Sequence, residues 1–166
     1  MKTILRLTTL ITCFYGHAQT DKLFKHDGNT IEVQIKEITE GVLKYSFPNE
    51  TLTRSMGKNS VAKIVYSNGQ EEKISDFITI ENEADFEKVV ILSTKDETVG
   101  LVDKGVVRGK SGGSAFQTPE TQNKVSLSKI RKAAAKLNAP FVWIEETVTA
   151  GHFGQSVRRG HAYSYK

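Results

Sequence analysis

Ile31, Val33 and Ile35 alternate with Glu32, Gln34 and Lys36, the period-2 pattern of a strand with one buried face. Asp27-Gly28 turns the chain ahead of it. Val42 to Phe47 follows as a second strand after the turn at Ile38 to Gly41, and Pro48-Asn49-Glu50 breaks it. Leu52 to Met56 reads as a third strand and Val61 to Tyr66 as a fourth. Asn68-Gly69 is a hairpin signal, so a short strand should return through Ile74. Five short strands at this spacing predict a small, bent antiparallel sheet or partly open barrel, SH3-like in size, over residues 21–75. Residues 76–88, acidic around Phe77, Ile78, Ile80 and Phe86, read either as a linker or as an extension of that sheet.

Residues 89–166 follow a different pattern. Val89 to Leu92 is a continuous apolar run, expected of a strand covered on both faces. Gly100-Leu101-Val102 and Val106-Val107, separated by a turn or bulge at Gly105, predict another strand. Gly109 to Thr121, rich in Gly, Ser and Thr, reads as a loop. Leu127, Ile130, Ala134 and Leu137 then fall on one helical face, with Ser126 or Ser128 as the expected cap. Asn138-Ala139-Pro140 should end that helix. Phe141 to Ile144 predicts a buried strand, Gly151 to Gln155 a turn, and Val157 to Tyr165 a final strand. The fold class expected is α+β: a small β module, then an α/β domain with a mixed sheet and one clear helix.

The first eighteen residues have the three parts of an export signal. Lys2 and Arg6 are basic, Leu7 to Tyr15 is mostly apolar, and Gly16-His17-Ala18 offers small residues at the cleavage positions. The mature chain should begin at Gln19, in the periplasm or outside the cell. Its apolar run is too short to span a bilayer, and no other segment predicts a transmembrane helix. Cys13 is the sole cysteine. Thr12 before it argues against a lipid anchor there, and cleavage after Ala18 leaves no thiol for a disulfide or a metal.

The 166 residues are 38% hydrophobic and 25% charged, ordinary for a globular chain, with net charge +4. The charge is uneven. Residues 71–103 hold three basic against ten acidic residues, and residues 104–166 hold eleven against three. The two parts either offset each other by packing or leave a polyanion-binding face. No compact basic run calls for a nucleic-acid partner.

The segment from Lys129 through the alanines to Pro140 and on to Phe141-Val142-Trp143-Ile144 resembles the helix-to-strand core of YbjQ-type and Rcs-stress-sensor-like envelope domains. Gly100 to Val107 and the ending Gly160-His161-Ala162-Tyr163 fit the same pattern. The resemblance implies a fold and an envelope address for the last eighty or so residues. The cysteines of the stress sensors and the thiol ligands suggested by a heavy-metal-binding label are absent. The earlier part, from Asp27-Gly28 to Asn68-Gly69, resembles small all-β modules of exported Bacteroidota proteins.

Gly105 to Ser111 lacks the four residues between glycines that a phosphate loop requires. No Gly-x-Ser-x-Gly elbow is present, and adjacent Glu145 and Glu146 on a strand should face opposite ways. The chain therefore reads as non-enzymatic, with no cofactor implied. His152 and His161 lack a third partner for zinc. The densest group of candidate side chains is on the last strand, where Arg159, His161 and Tyr163 share a face by alternation. Gly160 and Ala162 form the other face, suited to packing beneath Ala133 and Ala134. The three larger residues are the candidate ligand-binding set, for a small anionic ligand or an envelope protein. His161 should add positive charge on mild acidification. A small-ligand or metal-ion binder, and a polyanion binder, are the alternatives.

Overall fold

The computed structural model describes residues 20–112, 118–150 and 155–166. The expected signal, Cys13, His152 and much of the Gly/Ser/Thr-rich loop lie outside the described residues. The fold is α+β, with two sheets and one main helix. The first sheet has six antiparallel strands: β1 (Asp21–Lys25), β2 (Thr30–Ile38), β3 (Val42–Ser46), β4 (Arg54–Gly57), β5 (Val61–Val65) and β6 (Glu71–Lys73). Their order is β4-β3-β2-β1-β5-β6. Five of these were expected. The sixth, β1, sits at the centre and joins the two halves by pairing with both β2 and β5. Its Leu23 lies opposite Ile31 and Ile64 and is fully buried with Val33, Leu43 and Val61. Two adjacent apolar residues, Leu23 and Phe24, in a short charged segment gave no alternation to mark it. Extra residues at Lys36 on β2 and Ala62 on β5 shift the register, which increases local twist. The Asn68-Gly69 hairpin forms as expected, with only Gly69 in the left-handed region (φ 85°).

The second sheet is mixed: β7 (Val90–Leu92), β8 (Val102–Lys110), β9 (Phe141–Ala150) and β10 (Gln155–Ser164), in the order β7-β9-β10-β8. β7 runs parallel to β9 and the other pairs are antiparallel. One face is covered by the helix α1 (Pro119–Ala135) and by the short 3-10 turn at residues 83–88.

The helix differs from expectation at its start and in its buried face. It begins at Pro119, with the Thr118 hydroxyl accepting from the Thr121 amide as the cap, well before either predicted cap, Ser126 or Ser128. Its buried residues are Gln122, Ser126, Ile130, Ala134 and Ala135. Leu127 is only half-buried, and Leu137, beyond the helix end, is 40% exposed. Hydrophobic spacing could not find this face, because two of its five buried residues, Gln122 and Ser126, are polar. Ser126 meets the Ser156 hydroxyl at 3.1 Å, and the Ser111 hydroxyl accepts from the Ser156 amide at 2.9 Å. Buried polar groups tolerate such a site when they satisfy one another. The helix does stop where proline required. Asn138 takes a left-handed conformation (φ 51°), and the Ala139 amide reaches back to the Ala134 carbonyl.

Gly109 was expected in a loop but belongs to β8. A methyl group there would lie 2.1 Å from the Ser126 carbonyl oxygen, so α1 crosses the strand directly on the glycine. Residues 76–88 contribute Ile78, Ile80 and Phe86 to the core beneath α1. The two sheets also meet. The Gly57 amide donates to the Val99 carbonyl, and the His26 ring lies 4.9 Å from that of Tyr165. The Ile78 amide donates to the Tyr165 hydroxyl at 3.1 Å.

Candidate functional site

β10 keeps strict alternation along its whole length, because both irregularities beside it are in its neighbours. Glu145 is the extra residue on β9 opposite the Arg159–Gly160 step, and Lys104 is the extra residue on β8 opposite Ala162–Tyr163. Ser156, Arg158, Gly160 and Ala162 therefore face α1. Ala162 is fully buried with Ala134 and Ile130, as the small-residue face predicted. Gly160 is needed for space: a Cβ there would come within 2.2 Å of the Trp143 carbonyl oxygen. Arg158 points the same way, its Nε donating to the Ser126 hydroxyl at 3.1 Å and Nη1 to the Thr147 hydroxyl at 3.3 Å.

Arg159, His161 and Tyr163 share the opposite face, but the structure gives them three different environments. Arg159 is exposed. Its direct neighbours are Arg108 on β8 and Glu146 on β9. His161 sits between Val106 and Trp143, and its Nδ1 lies 2.7 Å from Asp103 Oδ2. The other oxygen of Asp103 accepts from the Gly105 amide at 2.7 Å. The bulge thus fixes this carboxylate across from the imidazole, and Gly105 supplies the required positive φ of 121°. The ring nitrogen is thereby engaged by Asp103 and does not stand free on the open face. Tyr163 is 9% exposed and packs with Leu92, Phe141 and Tyr165. Burial, with the nearby Asp103 charge, raises its pKa, while the Thr98 hydroxyl pulls weakly the other way. Its phenol stays neutral and inside the core, so the candidate set reduces at the surface to Arg159 beside a paired His161.

The residues the sequence reading missed are Arg108 and Lys110. They alternate with Val107 and Gly109, so they face the same side as Arg159. The signal was present in Val106-Val107-Arg108-Gly109-Lys110, but grouping Gly109 with the glycine-rich segment after it hid the alternation. Among the described residues, no ion pair includes Arg108, Lys110 or Arg159, and Glu146 does not close on its neighbour. Two guanidinium groups directly opposite on adjacent strands repel, with strands about 4.8 Å apart. Both can grip two oxygens at once, so an anion bridging them would turn repulsion into binding.

A cleft of about 520 Å³ between the sheets is lined by Glu40, Gly41, Ser93, Thr94, Asp96 and Glu97. Glu97 is occupied structurally, accepting from the Ser93 and Thr94 amides at 3.0 and 2.8 Å. Among the described residues, no group of three or more His, Cys, Asp or Glu side chains is placed to hold a metal ion, and no helix is long and apolar enough to cross a membrane. No protein-family model matches the chain, and neither a curated protein nor a solved structure matches it.

Proposed function

We propose that the chain is a non-enzymatic binding protein of the bacterial envelope, and that it takes an anionic group at the open face of the second sheet. The observation that carries this is the cross-strand pair Arg108–Arg159, exposed and without an acidic partner among the described residues. The export-type N-terminal pattern and the resemblance to envelope domains support the address. The anionic group can belong to a small molecule or to an envelope protein, since the recognising chemistry is the same.

Titration with inorganic sulfate, followed by NMR of the arginine side chains, tests the reading. Saturable shifts at Arg108 and Arg159 are expected, and an Arg108→Ala/Arg159→Ala chain that keeps its fold should lose them. Equal responses from both chains would place anion binding elsewhere and end the proposal. A polyanion reading is favoured by the continuation of the basic row to Lys110. It predicts that binding weakens steeply with salt, in proportion to the number of charges engaged.

A further inference from the structure

We propose that the outer edge of β8 takes up an extended peptide of alternating acidic and apolar residues as a fifth strand of the second sheet. Among the described residues, β8 pairs with β10 alone, and it lies at the end of the strand order. A nine-residue edge leaves a row of backbone donors and acceptors ready to pair with another chain. The other edges are less available. β6 and β7 have three residues each, and β4 is met by the Val99 carbonyl at Gly57.

The surroundings of this edge specify the side chains of the guest. Beside it runs a groove of about 540 Å³ between β8 and the end of α1, lined by Val106, Val107, Arg108, Ala133, Lys136 and Leu137. Val106 is 46% exposed and Leu137 40% exposed, so apolar surface lies uncovered on both sides of the edge. Successive residues of an added strand point to opposite faces. On the helix side, alternate residues would lie over Ala133 and Leu137 and should be apolar. On the open side they would lie beside Arg108 and Lys110 and should be acidic.

The same charges make a second copy of this chain a poorer guest at that edge. Antiparallel pairing of two β8 edges centred on Val106 would set Lys104 of each copy against Arg108 of the other. Lys136 already has an acidic neighbour, Glu83 at 3.4 Å, so the attraction for the guest rests on the strand residues. Strand addition would draw affinity from main-chain hydrogen bonds and choice of partner from alternate side chains. The inference rests on the binding role proposed above and shares Arg108 with it, but it adds a backbone interaction that anion capture does not involve.

The test uses the full chain and a labelled peptide of strictly alternating Val and Glu. Saturable binding is expected, with slowed hydrogen exchange at alternate amides of Lys104 to Lys110. Methylating one alternate set of peptide amides should weaken binding by about tenfold or more, while methylating the other set should not. An Arg108→Ala/Lys110→Ala chain should bind the parent peptide about tenfold more weakly. Equal binding by both methylated peptides and their parent, or binding without protection of β8, would overturn strand addition. Absence of binding at low salt would overturn it too. Sulfate capture by the open face does not protect β8 amides, so failure of one proposal is distinguishable from failure of the other.

Discussion

Gly109→Ala is the smallest change that probes how α1 sits on the second sheet. On a strand, replacing glycine by alanine where there is room should help by about 0.4–1 kcal/mol, because the unfolded chain loses freedom. At Gly109 there is no room. The new methyl would lie 2.1 Å from the Ser126 carbonyl oxygen, 2.7 Å from the Ile130 nitrogen and 3.0 Å from the Ile130 Cβ. Two of these are backbone atoms of the helix, so no side-chain rotation relieves the contact. The helix must retreat by more than about 1 Å to restore ordinary contact, and in doing so it loosens Ile130 from Val107, Val142 and Ala162. Overpacking of this kind costs about 1–3 kcal/mol, and the rigid contact places it at the upper end. A net loss of about 2 kcal/mol should lower Tm by roughly 4–8 °C in a chain of this size. Gly112→Ala is the matched control, because a Cβ at Gly112 meets nothing within 4 Å. Thermal unfolding followed by circular dichroism compares the three chains. If the Gly109 variant melts with the control, α1 does not cross β8 on that glycine.

Two other outcomes follow from burial. Ile130 is fully buried in an apolar cluster, so Ile130→Asp should cost about 4 kcal/mol or more by placing an unpaired charge there; an unchanged denaturant midpoint would refute that placement. Burial holds the His26 imidazole below its ordinary value of 6.5, against the opposing influence of Ser75 and the Asp76 carboxylate. The unfolded chain therefore binds that proton more readily, and stability should fall as pH drops through 6.5 towards the folded value, then level off. Urea unfolding between about pH 7.5 and 5.5 should show a shallower fall for His26→Gln than for the parent chain, and parallel curves would refute the assignment.

The sequence was legible wherever one physical cause acted alone. Alternation located β2, and proline with asparagine located the end of α1. The small residues Gly160 and Ala162 announced the face of β10 beneath the helix. Where two causes competed, the reading failed. Gln122 and Ser126 are buried although polar, because Ser111 and Ser156 meet that face, so apolar spacing put the helix too late and chose Leu137. Gly109 is small for close packing, yet composition alone made it resemble a flexible segment. Tyr163 followed the alternation that placed it beside Arg159 and His161, but alternation cannot tell which end of a sheet face another part of the chain covers. Leu92 and Phe141 enclose it.

The bulge at Lys104 explains how one face of β10 came to carry its particular charges. Without the extra residue at Lys104, Asp103 would not stand opposite Tyr163, and its carboxylate could not reach His161 from there. With it, the imidazole and Asp103 hydrogen-bond each other towards the Tyr163 end of the face. Two strand positions away, Arg108 and Arg159 remain side by side with no bulge between them. A regular pairing at Arg108–Arg159 and an irregular one at Asp103–Tyr163 therefore divide the face into a half where the imidazole and Asp103 hold each other and a half where two guanidinium groups stand opposite, with Glu146 beside Arg159. The second half keeps its charge at any physiological pH, because a guanidinium does not deprotonate there. The proposed anion binding should accordingly depend on salt and on the two arginines.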